Sequence, residues 1–292
     1  MKHTKVYLAR TEDPYAGACR ALDALGFKVR NRSVYIKPNL TGGRRSFDGM
    51  TTDIGLVRAV VERLEDCPKI TIGESCSDTV NAFDNLGYRE LAEQFPNIVL
   101  EDIRESDFVW KKIPRPFHTK EMPFNKNVFE HDYIINIAKM KTHSLAGVTL
   151  CLKNTFGFVP TRKQKLMYHP FIKKAMLDMN QIIRYDFCLM DGVWGNEFDE
   201  IQSTPKHTGA VIAGENMLAV DMISAEIMGI NLNTLETYQR AYELWGEPAV
   251  DLLGDDFNEV KTRYRQGCLF STRLRYIREA TASLAYRAVN RH

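Results

Sequence analysis

The chain has 292 residues, of which 44% are hydrophobic and 26% are charged, a composition typical of folded globular proteins. Its formal net charge of +2 predicts neither nucleic acid nor a membrane surface as a partner. The N-terminal residues lack the apolar core of a signal peptide, and no apolar run reaches the length that spans a bilayer. We therefore expect a cytoplasmic protein without a transmembrane segment.

Short β-branched runs alternate with helical patterns along the chain. In order, the sequence predicts strands over 5–9, 34–36, 69–72, 98–100, 133–137, 187–190 and 210–213, and helices over 15–25, 53–64, 88–95 and 217–228. Gly26 and Gly229 follow two of these helices, as glycine commonly does at helix C-termini. This alternation is typical of an α/β fold with mostly parallel sheets flanked by helices. We expect a single α/β unit over 1–260, with two lobes around the site as an open alternative.

The C-terminal residues 261–292 carry eight Lys or Arg and one Glu. Leu274, Ile277, Leu284 and Ala288 share one helical face among arginines, which predicts a basic amphipathic helix. Such a helix can pack on the fold with a solvated basic side. Alternatively, it can lie on an anionic membrane, or bind a protein partner or a second copy of the chain.

The six cysteines are scattered along the chain, without a CxxC pair or the spacing of a ferredoxin cluster. In a reducing compartment this pattern predicts free thiols, several of them buried. No resident iron–sulfur cluster is expected.

The densest polar segment is 132–157, where a buried-strand pattern breaks into basic and amide side chains. These are Lys139, Lys141, His143, Lys153 and Asn154. Because the carboxyl ends of parallel strands meet at one edge of a sheet, the loops there commonly form sites. The segment therefore predicts a functional cleft.

Two lysines are predicted to bind an anion. Lys37 and Lys141 each follow an apolar strand, and two ammonium groups at one sheet edge suit a carboxylate or a phosphate. The alternative is a pair of separate rim charges that reach water. Asn39, beside Lys37, would orient a ligand oxygen or cap the next turn.

Three further residues are candidates for catalysis. Neighbouring cations lower the pKa of an imidazole, so His143 is expected to be a neutral base or ligand, or else a loop cap. Lys153 lies in an apolar run and would be a nucleophile or a covalent anchor; the alternative is an ion pair with Asp191 or Asp221. His169 follows a basic loop and would lie on a lid or on the surface.

The carboxylates near strand ends are candidates for a cation site. Glu74 and Asp191 adjoin predicted strands, and Glu197 lies in the glycine-rich turn that follows. Such oxygens bind a hard divalent cation or take part in acid/base chemistry. Asp221 is expected to be structural, as a polar partner for its own helix.

Seven ordered motifs carry a family resemblance. They are Lys37-Pro38-Asn39, Thr51-Thr52-Asp53, Gly73-Glu74, Lys141-Thr142-His143, Lys153-Asn154-x-x-Gly157, Asp191-Gly192 and Ala219-Val220-Asp221. Over residues 34 to 230 the chain resembles the domain of unknown function 362 family. Many members of that family carry a four-cysteine cluster domain, whose cysteines this chain lacks. We place Thr52 and Asn154 of these motifs in the predicted substrate-binding group.

A more distant resemblance is to the nickel-dependent lactate racemase family. His143, Lys153 and His169 have the spacing of that family's acid/base histidine, cofactor-bearing lysine and nickel-binding histidine. The resemblance implies a nickel-pincer nucleotide on Lys153. The chain departs from the family at 151–152, where the racemase has Gly-Gly, and at 73–76, where the racemase has its second acid/base histidine.

Together these residues predict an enzyme that acts on a small anionic substrate, a carboxylate, through His/Lys acid–base chemistry. Isomerisation, racemisation and elimination all fit, with His143, Lys153 and His169 as the catalytic group. The alternative is a non-catalytic accessory protein for a redox or cofactor-maturation partner. The sequence names no cofactor; intact mass and metal analysis would test for an adduct on Lys153 and for a divalent metal.

Overall fold

A computed structural model describes residues 3–43, 45, 48–200, 202–267, 270, 273–274, 277–278 and 280–281. Its strands are β1 (Thr4–Arg10), β2 (Ser33–Pro38), β3 (Lys69–Glu74), β4 (Ile98–Asp102), β5 (Phe108–Lys112), β6 (Glu121–Asn125), β7 (Tyr133–His143), β8 (Gly147–Thr149), β9 (Phe187–Asn196), β10 (Pro205–Gly214) and β11 (Val250–Gly254). Its helices are α1 (Pro14–Ala24), α2 (Ile54–Val61), α3 (Thr79–Asn85), α4 (Tyr88–Gln94), α5 (Cys151–Asn154), α6 (Arg162–Tyr168), α7 (Ile172–Asn180), α8 (Met217–Ile227) and α9 (Glu236–Trp245).

One mixed sheet organises the fold. Its order is β11-β1-β10-β9-β7-β2-β3-β4, and β8 pairs with β7. Neighbouring strands are parallel throughout β9, β7, β2, β3 and β4, and β11 is parallel to β1. The pairs β1–β10, β10–β9 and β7–β8 are antiparallel. Strands β5 and β6 form a separate antiparallel pair. The predicted α/β fold with a mostly parallel sheet is confirmed.

Helices cover both faces of the sheet, because the strands alternate apolar side chains between two cores. Val34 and Ile36 of β2 belong to a core that α1 to α4 complete. Ala138 and Met140 of β7 belong to a second core, which includes α8 and part of α9. A third group of buried residues surrounds the β5–β6 pair and α7. Burial on both faces explains the near-continuous apolar runs that mark these strands in the sequence.

Strand β7 is longer than the sequence predicts. The predicted strand over 133–137 continues to His143, and its last three residues pair with β8, with Lys141 opposite Thr149. The basic residues therefore lie within the strand instead of after it. Hydrophobic periodicity misses this extension because the extra positions carry buried polar side chains. The predicted strand over 187–190 likewise continues, to Asn196.

The predicted C-terminal helix over 261–292 is wrong for its first residues, because 261–267 are not helical and Gln266 forms an isolated β-bridge with Phe198. Beyond 267 the predicted helix falls largely outside the described residues, and its role stays a prediction. Within the described part of the chain, no helix has the length and apolar character needed to cross a membrane.

Candidate functional site

A cavity of about 440 Å³ lies at the carboxyl ends of the parallel strands. Side chains from β2, β3, β7, α5 and α6 line it, together with residues of the connecting loops. Its ionisable Lys, Arg, His and Glu residues are Lys37, Glu74, Arg104, Lys141, His143, Lys153, Arg162, Lys165, His169 and Glu200. Since six Lys or Arg face two Glu, the cavity suits an anionic ligand.

Most of the residues predicted for the site line this cavity. They are Lys37, Asn39, Glu74, Lys141, His143, Lys153, Asn154 and His169. Thr52 does not line it: the Thr52 hydroxyl donates to the Ile137 carbonyl oxygen at 2.9 Å and accepts the Asn39 N–H at 3.0 Å. Thr52 therefore joins the end of β2 to β7, which corrects its predicted placement in the substrate-binding group.

An internal ion pair occupies the middle of the cavity wall. The Lys37 ammonium lies 2.6 Å from the Glu74 carboxylate and also donates to the Pro38 carbonyl oxygen at 2.7 Å. The same carboxylate accepts the backbone N–H groups of Leu40 and Ser75, at 3.1 and 2.7 Å. Because Glu74 compensates its charge, Lys37 contributes no uncompensated charge to the cavity, and its predicted anion-binding role is not supported by this geometry.

A chain of amide side chains connects Lys141 to the strand ends. The Lys141 ammonium donates to Asn39 Oδ1 at 2.8 Å and to the Met50 carbonyl oxygen at 2.9 Å. Asn39 Nδ2 donates to Asn154 Oδ1 at 3.0 Å, and Asn154 Nδ2 donates to Asn136 Oδ1 at 2.8 Å. These acceptors are uncharged, so the positive charge of Lys141 is hydrogen-bonded without being neutralised.

The helix α5 carries Lys153 and begins at a buried carboxylate. Asp221 accepts the N–H groups of Cys151 and Leu152 at 2.7 and 3.0 Å, and the Tyr238 hydroxyl at 2.8 Å. A carboxylate at a helix N-terminus satisfies N–H groups that have no partner within the helix. Asp221 is thus structural, as predicted, and its partners are backbone groups and a hydroxyl instead of Lys153.

Lys153 and Lys165 are two cavity lysines without an ion pair to a carboxylate among the residues described. Lys153 lies 6.0 Å from the ring centroid of Phe156, and Lys165 donates to the Ser75 carbonyl oxygen. Burial lowers the pKa of each to about 8. Burial, with Lys153 and Lys139 nearby, lowers the pKa of Lys141 to about 7.

His143 is held as a neutral imidazole. Its Nδ1 accepts the backbone N–H groups of Leu145 and Ala146, at 3.1 and 3.2 Å, and lies 3.4 Å from Glu200 Oε2. The two backbone donors favour the neutral tautomer with its proton on Nε2. Burial, followed by the charge of Lys153, lowers the pKa of His143 well below its usual value. Nε2 is buried and has no hydrogen-bond partner among the described residues. His143 therefore presents an unused N–H donor.

His143 and His169 lie together in space. Their ring centroids are 6.0 Å apart, and the His169 ring centroid is also 6.0 Å from that of Phe156. His169 follows α6 directly, and it lines the same cavity as Lys153. The structure thus brings the three predicted catalytic residues to one cavity.

Further ionisable side chains line the cavity without belonging to the predicted set. They are Arg104, Arg162, Lys165 and Glu200. A sequence signal exists for Arg104, because it follows a predicted strand by a few residues. Arg162 and Lys165 come from α6, and Glu200 lies beyond the end of β9. Hydrophobic periodicity does not predict that these three residues line the cavity, because their position depends on how distant parts of the chain pack together.

The three carboxylates predicted to hold a cation lie apart, each beside a different positive side chain. Glu74 pairs with Lys37; Asp191 lies 2.8 Å from Lys139, and Glu197 lies 2.7 Å from Arg265 Nε. Within the part of the chain that the structure describes, no three His, Cys, Asp or Glu side chains are grouped to hold a metal ion. The structure therefore does not assemble Glu74, Asp191 and Glu197 into one site.

The fold and the site define an α/β protein with a basic cavity at the carboxyl ends of its parallel strands. The chain belongs to the family described as Domain of unknown function (DUF362), whose model matches residues 34–226.

Two comparisons extend this assignment. The chain is 24% identical over 252 residues to a thylakoid-associated protein of Synechocystis sp., covering 80% of this chain and 77% of the relative. Its fold is similar to that of the lactate racemase apoprotein from Thermoanaerobacterium thermosaccharolyticum, with a TM-score of 0.52 and 15% identity. That similarity covers 78% of this chain but only 57% of the racemase. The predicted resemblance to the racemase family is confirmed for the fold alone.

Proposed function

We propose that this protein is an enzyme that binds a small carboxylate in the basic cavity and moves a proton on the carbon next to the carboxyl group. One observation carries the proposal. A neutral imidazole N–H without a partner among the described residues, at His143, lines the same cavity as an amine without an ion pair there, at Lys153. An acid and a base in one basic cavity are the groups that this reaction needs.

In the proposed reaction, His143 stabilises the negative charge that develops on the substrate. Loss of the α-proton places charge on the carboxyl oxygens, and the Nε2–H group donates a hydrogen bond to one of them. Removing a donor of this type typically costs on the order of 10²–10³ in rate. Because its Nδ1 lone pair is already used by two backbone N–H groups, His143 serves as the donor, and the base is a different residue.

Lys153 is the proposed base. Its lowered pKa of about 8 leaves a fraction of the amine unprotonated near neutral pH. The substrate C–H bond breaks, its electron pair moves into the carboxyl group to form an enediolate, and the proton passes to Lys153 Nζ. Return of the proton to the same face of the same carbon regenerates the substrate and exchanges its α-proton with solvent. In a substrate with a neighbouring double bond, return of the proton to a different carbon gives isomerisation, while departure of a leaving group from the next carbon gives elimination. The charge of Lys141 favours binding of the carboxylate throughout.

The nickel-pincer nucleotide of the racemase family is only partly matched by these residues. Lys153 and His169, which the resemblance assigns to cofactor attachment and nickel binding, both line the cavity. The segment that replaces the second acid/base histidine instead contributes Glu74, which is paired with Lys37. The proposal therefore contains no step through that cofactor, and it uses one base on one face of the substrate.

Exchange of α-protons in heavy water tests the proposal even while the product is unidentified. The wild-type protein should exchange the α-proton of at least one small carboxylate, followed by proton NMR. His143→Asn keeps an acceptor near the backbone N–H groups of Leu145 and Ala146 but removes the Nε2 donor, and Lys153→Met removes the base. Each should slow exchange about a hundredfold.

Lys163→Met supplies the matched control, because Lys163 is exposed on α6 and does not line the cavity. It should exchange at the wild-type rate. Full exchange activity in both His143→Asn and Lys153→Met would overturn the proposal. Failure of the wild-type protein to exchange any carboxylate that it binds would do the same.

A further inference from the structure

The cavity is longer than one small carboxylate requires. Residues at or just beyond the carboxyl ends of four neighbouring strands line it: Lys141 from β7, Lys37 from β2, Glu74 from β3 and Arg104 just beyond β4. Neighbouring strands lie about 4.8 Å apart, so the four strands that contribute these residues span roughly 14 Å from β7 to β4. A substrate bound only beside Lys141 would leave most of this length without a ligand.

Within the described structure, cations without an ion pair lie on both sides of the Lys37–Glu74 pair. Lys141, on β7, donates only to uncharged acceptors among the described residues, although the Glu200 carboxylate lines the same cavity and lies 3.4 Å from His143 Nδ1. On the other side Lys165 donates to the Ser75 carbonyl oxygen, at the carboxyl end of β3. Between them the Lys37 charge is compensated by Glu74. A substrate that spans this pair can therefore meet Lys141 with one anionic group and Lys165 with another.

The β3–β4 end retains donors that a second anion can use. An ammonium has three N–H donors, and the Lys165 ammonium has one partner among the described residues, the Ser75 carbonyl oxygen. Arg104 uses Nε and one terminal nitrogen on Asp102, and the other terminal nitrogen donates to the Ser77 carbonyl oxygen at 2.7 Å. Two of the five N–H groups of the Arg104 guanidinium then remain available to donate to a ligand. Both side chains line the cavity.

We infer that the substrate is a linear dicarboxylate, with one carboxylate beside Lys141 and the His143 Nε2 donor and the other at the Lys165–Arg104 end. This inference rests on the proposed function, which places the reacting carbon beside Lys153 and His143. It adds a second carboxylate-binding position that fixes the length of the substrate. Charge-assisted hydrogen bonds are strong enough there to select a dianion over a monoanion of the same length.

Calorimetric titration with matched acids tests this inference. The pairs are butyrate and succinate, hexanoate and adipate, and octanoate and suberate, which differ within each pair by one carboxylate. In the wild-type protein adipate or suberate should bind about tenfold tighter than its monocarboxylate partner. Succinate is too short to reach both ends and should gain little over butyrate.

Substitutions at Lys165 and Lys163 of α6 test whether the preference for dicarboxylates depends on the Lys165–Arg104 position. Lys165→Gln should reduce the affinity for the long dicarboxylates to that of their monocarboxylate partners, while leaving monocarboxylate binding within about twofold. Lys165→Arg should retain the preference, and Lys163→Gln, which removes a charge outside the cavity, should not change it. Thermal melting of each variant verifies that it is folded.

The outcomes separate this inference from the proposed function. Equal binding of hexanoate and adipate by the wild-type protein, and likewise of octanoate and suberate, overturns the second position and leaves the proposed function intact. An equal loss of mono- and dicarboxylate binding in Lys165→Gln has the same meaning. Absence of binding by every acid in the panel overturns both proposals.

Discussion

The Lys37 ammonium and the Glu74 carboxylate are 2.6 Å apart, and neither side chain is more than 5% exposed. Their partners include backbone groups from the loops after β2 and β3, so the pair fixes the relative position of two strand ends. Neutralisation within this pair also means that Lys37 adds no net charge to the basic cavity. The pair is thus part of the scaffold, although both residues belong to the motifs that define the site.

Removal of the carboxylate charge should destabilise the protein. Glu74→Gln leaves the Lys37 ammonium buried without a counter-charge, and breaking a buried pair in this way typically costs about 3–5 kcal/mol. Unfolding in guanidinium chloride measures the loss. Glu93→Gln, which changes an exposed residue of α4, should stay within about 0.5 kcal/mol of wild type. Wild-type stability in Glu74→Gln would show that the pair is not maintained in solution.

Gly157 should not tolerate a side chain. A Cβ at this position would overlap the end of the Lys37 side chain and lie 2.9 Å from Glu74 Oε1. Because the ion pair holds that end in place, Gly157→Ala should lower the free energy of unfolding by about 1–3 kcal/mol. Gly267→Ala is the control, since a Cβ there makes only an ordinary contact with Phe198. Equal stability of both variants would contradict the expected overlap.

His143 should remain neutral under mildly acidic conditions. Its folded-state pKa lies well below the ordinary value of 6.5, so the unfolded chain gains a proton that the native state does not. The free energy of unfolding should therefore fall as the pH decreases through 6.5, and part of that slope should be absent in His143→Asn. Nitrogen-15 NMR should report the Nε2–H tautomer. A resonance that titrates near the ordinary pKa would be inconsistent with the buried donor.

The cavity lysines should make the free energy of unfolding rise further with pH at alkaline pH. Lys141, Lys153 and Lys165 have folded-state pKa values of about 7, 8 and 8, against 10.5 for an ordinary lysine. Between these values the unfolded chain binds more protons, so the free energy of unfolding should rise with pH over that window. Lys153→Met and Lys165→Met should each flatten the rise, as followed by urea unfolding at several pH values. An unchanged slope in both variants would indicate ordinary pKa values.

Substitution of Asp221 should change the position of Lys153, because Asp221 binds the first N–H groups of α5. Asp221→Asn places an amide N–H against donors that now share a carboxylate, and each buried group left unsatisfied costs roughly 1–3 kcal/mol. Tyr238→Phe removes only the hydroxyl donor and should cost less. If α5 positions Lys153, Asp221→Asn should also reduce the α-proton exchange rate of the folded protein, whereas Tyr238→Phe should reduce it less. Equal exchange rates in folded samples would limit Asp221 to a role in stability.

The sequence predicts the sheet better than it predicts the contacts of the site. Runs such as 34–36 and 69–72 are strands because they are apolar and β-branched, and this local property survives in the fold. The partners of Lys37 and of the first residues of α5 are distant along the chain, so no local pattern reveals them. Thr52 illustrates the limit: its motif is recognisable, but its hydroxyl bonds to backbone groups just after β2 and in the middle of β7.

Strand β7 has a consequence for how the site can change. Lys139, Lys141 and His143 occupy every second position of one continuous strand, and they meet Asp191, Asn39 and the Leu145–Ala146 turn respectively. A substitution changes one of these side chains and leaves the others in place. Deletion or insertion of a single residue after Ile137 would instead turn every following side chain of the strand to the opposite face. Diversification of this cavity is therefore confined to replacement at fixed positions, and β7 must keep its length.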